Sequence, residues 1–348
     1  MSDFDASLLR GYWHLLCHRR ELPAAGDYLR FESAIGDIVV FNDGQDLIAF
    51  DNRCPHRGAR LYDGVAGNQP ASCKYHGWTH AAGRMIIPQV EKFNGCDVTS
   101  ARLNQHRTEW CGDFLFVGVE PLAQLYDQLG DAADILENIS FNIDKCVDLN
   151  QYAYECIWPL AIENALEPYH ISLIHPQTLA TLELEDGENR FIGINSVWTA
   201  PVGNARVRRR LESLKRFFRI DYAYEGYFSL YLFPFTMLSS TYGYSYSLQH
   251  FLPAPGGAAR TSFSSRLLTA PAADERAAAM LETFFTSTAE VNRRVFDEDH
   301  QVCKRMPADS WSPQPLRYAS DDEIKISHFR ESCRRHVAAL GQEADARR

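Results

Sequence analysis

The sequence contains no apolar run long enough to cross a bilayer. Its most apolar window, YFSLYLFPFTML from Tyr227 to Leu238, is too short for a span and is interrupted by Pro234. The first twenty residues carry charges and histidines where a secretory leader would have an unbroken apolar stretch, so a cytoplasmic location is expected. Excess positive charge is also missing: 35 basic against 45 acidic side chains give a formal charge of -10, which argues against nucleic-acid or anionic-membrane partners. The dense basic run from Arg206 to Arg210, with Lys215 and Arg216, reads as a solvated surface. No GxGxxG follows a strand-like segment, and no second cysteine-rich ferredoxin motif is present. The chain therefore lacks a nicotinamide or flavin module of its own. Nine cysteines, an odd number in a reducing compartment, point to free or metal-bound thiols and not to disulfides.

The 348 residues suffice for roughly two domains of about 150 residues each. LLRGYWHLLCHRR at 8–20 reads as a short helix, and residues 1–27 as an N-terminal helical segment that packs on the larger domain. Between 28 and 120 the short β-like runs YLRF, DIVVF, DLIAF and DFLFVGV are separated by Gly, Asp and Asn turn signals, as in a small all-β module. Residues 121–337 read as an α+β domain: helices near 121–139 and 157–174, aromatic-rich strands from 221 to 252, and a long helix from about 272 to 305. Residues 338–348 read as a disordered tail.

The all-β module holds two similar loops, CPHRG and CKYHGW, which place Cys54 with His56 and Cys73 with His76. Thiolates and imidazoles together suit zinc or an iron-sulfur cluster. Zinc fingers usually put both cysteines in one segment and both histidines in another. Here each loop offers one of each, which suits a cluster with two chemically different irons. The loops closely resemble the Rieske [2Fe-2S] signature, whose histidines raise the reduction potential above that of all-cysteine clusters. That resemblance assigns Cys54 and Cys73 to one iron, and His56 and His76 to the other. Lys74 stands where many Rieske proteins have proline, which leaves the ligand set intact.

In the second domain, ENALEPYHISLIHP puts Glu163, Glu167 and His170 at i, i+4 and i+7, one face of a regular helix. His175 would then lie about 140° from His170, so both can bind one ion only if the helix bulges or ends between them. Pro168 and Pro176 supply a reason for such a break. On the late helix, Leu281, Phe284, Thr288, Val291, Val295, Asp299, Val302 and Met306 recur at three- or four-residue spacing and turn Asp299 inward. Asp297 and Glu298 fall on other faces and read as solvated. By pattern alone Asp299 is either a metal ligand or a buried, hydrogen-bonded carboxylate.

The order of Rieske loops, ENxxxxxH, a second histidine after four residues and a late carboxylate resembles the α subunit of Rieske non-heme iron oxygenases. The closing EDHQVCKRM and polar helix resemble the monooxygenase and demethylase branch. The resemblance implies an α+β protein with a Rieske domain beside a helix-grip catalytic domain, a curved antiparallel sheet packed with helices. It further implies a mononuclear Fe(II) held by His170, His175 and Asp299, with Asn164 as a neighbour of that site. It implies a homotrimer in which one subunit's cluster faces its neighbour's iron. Glu167 stands where the commoner pattern has the bridging Asp, and some relatives that act on amines use Glu there. The expected activity is hydroxylation or oxidative demethylation of a small organic substrate with O2, electrons coming from a separate NAD(P)H-dependent reductase or ferredoxin. A cis-dihydroxylating dioxygenase is the alternative, and an electron-transfer protein the non-enzymatic one. Tyr242, Tyr244 and Tyr246 share a strand face that reads either as core or as a pocket wall.

Overall fold

The computed structural model describes residues 2–221, 224–257 and 259–346. After helix α1 (Ser2–Gly11) the chain forms nine strands: β1 (Trp13–His18), β2 (Asp27–Phe31), β3 (Ile38–Asn42), β4 (Leu47–Asp51), β5 (Ala66–Asn68), β6 (Thr79–Ala81), β7 (Arg84–Ile86), β8 (Arg107–Cys111) and β9 (Phe114–Gly118). They make an antiparallel sheet of order β4-β3-β2-β5, another of order β1-β9-β8, and the hairpin β6-β7. Alternation in β3 and β4 explains why the first sheet is buried on both faces. Val39, Phe41 and Phe50 join the two loop cysteines on one side. Ile38, Val40, Leu47 and Ala49 turn to the other, into a core shared with Tyr154, Trp158 and Phe296 of the second domain. The segment read as one helix over 8–20 divides after Gly11, because Trp13–His18 finds a ladder partner in β9.

Helices α2 (Leu125–Leu129) and α3 (Ala132–Ser140) lead into a seven-stranded antiparallel sheet. Its strands are β10 (Lys145–Tyr154), β11 (Glu188–Ile192), β12 (Asn195–Ala200), β13 (Tyr227–Leu232), β14 (Thr236–Thr241), β15 (Ser245–Pro253) and β16 (Thr261–Thr269). The spatial order is β10-β16-β15-β14-β13-β12-β11. Period-two alternation again divides the faces. Phe228, Leu230, Leu238, Tyr246, Leu248 and Leu268 pack with Leu125, Leu136 and Ile139 of α2 and α3. The opposite face carries Ser229, Ser239, Ser245, Ser247 and Gln249 towards a cavity.

The remaining helices are α4 (Trp158–Leu166), α5 (Ile171–Ile174), α6 (Ala205–Leu214), α7 (Glu275–Cys303) and α8 (Ile324–Ala346). Asp274 caps α7 by accepting the Ala277 backbone N–H at 2.7 Å. The helix is pinned to the sheet by the Phe263–Phe296 ring contact and by Tyr154 Oη donating to the Phe296 carbonyl at 2.9 Å. α8 runs to Ala346, into the tail read as disordered; Arg347 and Arg348 lie outside the described residues. No helix among the described residues is long and apolar enough to cross a membrane.

Candidate metal centres and the cavity between helix and sheet

Each Cys-His loop is a tight turn closed by a backbone bond, Gly58 N–H to Cys54 carbonyl at 2.9 Å and Gly77 N–H to Cys73 carbonyl at 2.8 Å. Both glycines have positive φ, 75° and 71°, a region that glycine adopts without strain. The turns bring the four side chains to one place. The Cys54 and Cys73 thiols are buried and lie within hydrogen-bonding reach of one another; burial, followed by that neighbour, pushes the Cys54 pKa up. The His56 and His76 rings are 4.8 Å apart, and Trp78 stacks on His56 at 4.8 Å. His56 Nδ1 is buried with no hydrogen-bond partner among the described residues. Such an orphan is costly unless a metal claims it, so the donor set fits an iron-sulfur cluster.

The second set forms where α4 fails. Glu167 precedes Pro168, whose ring disfavours helical geometry in the residue before it. Accordingly α4 stops at Leu166, and Glu167 is extended at φ -121°, ψ 145°. The expected single helix through 157–174 is thus two, with His170 and His175 flanking the one turn of α5. Glu163 does not join them: its carboxylate pairs bidentately with Arg330 at 2.7 and 2.8 Å and accepts from Trp311 Nε1.

The loop carries His170 Nε2 to 3.2 Å from His175 Nε2, while Asp299 Oδ1 lies 3.0 Å from His175 and 3.5 Å from His170. Three ligands about 2.1 Å from a common ion would sit about 3.0–3.4 Å apart, so these separations fit one metal. Asn164 Nδ2 donates to the same Asp299 oxygen at 2.8 Å. Glu167 reaches His170 by a route other than a shared helix face. Its carboxylate folds back to accept the His170 backbone N–H at 3.0 Å and lies 2.6 Å from Nδ1.

Glu298, read from the sequence as solvated, instead lies 2.8 Å from His175 Nδ1. It accepts from Thr178 Oγ1 at 2.9 Å and from Arg294 Nε at 3.0 Å. The available signal was chemical and not periodic: a ligating histidine normally gives its second nitrogen to a carboxylate or carbonyl. Burial opposes charge on His170, but the Asp299 and Glu167 carboxylates outweigh it and hold its pKa up to about 9. Burial would raise Asp299 too, yet the two histidines pull it below the usual carboxylate range. Three carboxylates around two imidazoles make a field that favours a cation.

His170, His175 and Asp299 open onto a cavity of about 340 Å3 between the sheet, α5, α6 and α7. Phe284, Thr288, Val291 and Val295 of the α7 stripe line it with the serine face of β13–β15. Tyr242, Tyr244 and Tyr246 do not. Tyr246 points into the opposite core, and Tyr242 and Tyr244 pack with Phe218 and Phe285, so the core reading of that triplet holds.

A paired Cys-His site on a small β module, joined to a His-His-Asp cluster under an antiparallel sheet, gives the chain two candidate metal centres. Residues 12–94 match the Rieske [2Fe-2S] domain, and residues 143–339 match the ring hydroxylating alpha subunit (catalytic domain). The chain belongs to this ring-hydroxylating α-subunit family, whose cofactors are the [2Fe-2S] cluster and a mononuclear iron.

Among its relatives, the anthranilate 1,2-dioxygenase large subunit of Acinetobacter baylyi is 30% identical over 49% of this chain and 39% of its own length. The carnitine monooxygenase oxygenase subunit of Escherichia coli K12 is 29% identical over 66% of this chain and 61% of its own length. The chain thus spans less than two thirds of these relatives. The fold is that of the quaternary ammonium Rieske monooxygenase CntA in complex with L-carnitine, with a TM-score of 0.74 at 18% identity over 97% of this chain and 90% of that one.

Proposed function

We propose that the chain is the terminal oxygenase component of a multicomponent system that hydroxylates or oxidatively demethylates a small organic substrate. The observation that carries this reading is the meeting of His170, His175 and Asp299, two nitrogens and one oxygen 3.0–3.5 Å apart, at the wall of a substrate-sized cavity. Bound there, ferrous iron would supply oxygen activation at the positions that two imidazoles and one carboxylate leave open, with electrons from the Rieske cluster. Cys54, His56, Cys73 and His76 would hold that cluster. The surrounding side chains orient these ligands: Glu167 and Glu298 fix the outer nitrogens of the two histidines, and Asn164 fixes the Asp299 oxygen. The apolar α7 stripe limits water on the helix side.

Exposed apolar groups beside both centres support assembly of copies into a homotrimer. Tyr75, next to His76, is 61% exposed; Tyr169 and Leu173, flanking His170, are 64% and 81% exposed. In such a ring Glu167 would bridge His170 to a neighbour's cluster. Likeness to the carnitine monooxygenase subunit over 66% of the chain supports monooxygenation over cis-dihydroxylation. Electrons would come from a separate NAD(P)H-dependent reductase or ferredoxin in the cytoplasm.

The test is Asp299→Ala beside Asp297→Ala. Asp299→Ala is expected to keep the cluster's optical and EPR signature and lose most mononuclear iron and substrate-dependent O2 uptake. Loss of iron in Asp297→Ala, with Asp299→Ala intact, would overturn the assignment.

A further inference from the structure

The cavity has one charged side chain that the metal site does not use. Lys325, in the first turn of α8, lines it, is only 2% exposed, and makes no hydrogen bond or ion pair with any of the described residues. Glu167, His170, His175 and Asp299 also line the cavity; the last three form the metal cluster, and Glu167 is bonded to His170. A buried ammonium without a counter-charge is unfavourable by several kcal/mol in order of magnitude, and lysine is almost never fully buried unless paired. Burial alone drives the Lys325 pKa down to about 7, and no acidic neighbour offsets it. A fold that keeps such a group at the wall of its substrate cavity has left a place for an anion.

A second feature points the same way. On a chain of net charge -10, the densest basic run lies on α6, with Arg206, Arg208, Arg209 and Arg210 exposed. The other side of that helix, through Val207 and Leu211, lines the cavity. A positive rim over a pocket in an otherwise acidic protein raises the local concentration of anions and speeds their entry.

We infer that Lys325 is the receptor for a carboxylate on the substrate, which holds the molecule at one end of the cavity while its reacting carbon faces His170, His175 and Asp299. One ammonium balances one negative charge, so a monocarboxylate suits it better than a phosphate ester, whose second charge would face Glu167 and Asp299 unpaired. The inference deepens the oxygenase reading and rests on it.

The experiment uses the iron-loaded protein and measures binding calorimetrically for acids and for analogues in which an uncharged group replaces the carboxylate: benzoate against benzamide, and glycine betaine and carnitine against choline. Wild type is expected to prefer at least one acid over its analogue by about 10- to 100-fold, the range of a charge-assisted hydrogen bond. Lys325→Met should erase that preference and melt at or above the wild-type temperature, because it removes an unpaired buried charge. Lys325→Arg should recover part of the preference. Acid binding unchanged in Lys325→Met, or the carboxylate-free analogues bound as tightly as all the acids by wild type, would overturn the inference. Should Lys325→Met not fold, the wild-type comparison still decides. Single-turnover product analysis separates the two readings. Lysine-dependent acid binding without any oxygenated product would remove the oxygenase reading alone, and oxygenation of the amide or alcohol as readily as the acid would remove the lysine's role alone.

Discussion

Replacing Glu298 by alanine strips His175 of the acceptor on its Nδ1, and the structure allows the effect to be sized. The ring is wholly buried, so loss of the 2.8 Å contact leaves its Nδ1 without a protein acceptor. An orphaned donor of this kind costs about 1–3 kcal/mol. Thr178 loses its 2.9 Å bond to the same carboxylate, and Arg294 its 3.0 Å bond, so the collar that fixes the ring loosens together. Since about 1.4 kcal/mol is tenfold in affinity, iron should be held about 10- to 100-fold more weakly. The assay is competitive chelation of the mononuclear iron, with inorganic sulfide counting clusters in the same sample. Glu298→Gln, whose amide oxygen still accepts from Nδ1–H, should lose less. Wild-type iron retention in Glu298→Ala would refute the reasoning, and equal loss of sulfide would mean that the chain had misfolded.

The Glu163–Arg330 pair is buried and bidentate, so Glu163→Ala should destabilise the fold by about 3–5 kcal/mol in denaturant titration while leaving iron stoichiometry unchanged; depleted iron in a folded variant would tie Glu163 to the metal site after all. Acid should weaken the fold through histidines buried in the neutral form. Burial lowers His14 and His18 from 6.5 to about 4, and His250 well below its ordinary value, so the unfolded chain binds more protons than the folded one between those limits. Stability is therefore full above pH 6.5 and falls as pH drops towards 4, by about 3 kcal/mol for each of His14 and His18; a melting temperature flat across that window would contradict this. Glu167→Gln should assemble both iron centres yet slow oxidation of a prereduced cluster about 10- to 100-fold with substrate and O2 present, and a wild-type rate would confine Glu167 to positioning His170.

Features set by nearest neighbours were legible in the sequence. Short apolar runs bounded by turn residues announced β3, β4 and β9, and the phase of α7 turned Asp299 inward as expected. The break expected between His170 and His175 falls instead before His170, where Glu167 precedes Pro168; the i, i+4, i+7 pattern of Glu163, Glu167 and His170 imitates one helix face and hides it. What separates Glu163 from that set is Arg330, 167 residues away, a partner that no local pattern names. Glu298 was misread for the same reason. Its neighbours along α7 place it towards solvent, whereas its true partners, His175 and Thr178, arrive from a different segment. The tyrosines at 242–246 do not share the strand face that their alternation suggests: Tyr242 and Tyr244 lie in the turn between β14 and β15 and pack with Phe218 and Phe285, while only Tyr246 is in β15, packed with α2 and α3.

The serine wall of β13–β15 has an evolutionary consequence. Strand pairing there is made by the backbone, so the ladder between Tyr227–Leu232, Thr236–Thr241 and Ser245–Pro253 does not depend on which side chains face the cavity. The proposed iron ligands come from the flanks of α5 and from α7, on other parts of the chain. Exchanging Ser229, Ser239 or Ser247 for alanine, threonine or cysteine reshapes the chamber by a methyl group or an atom of sulfur while the chemistry stays in place. Such a division lets one reaction be passed among new substrates by single codon changes, with the catalytic apparatus inherited intact.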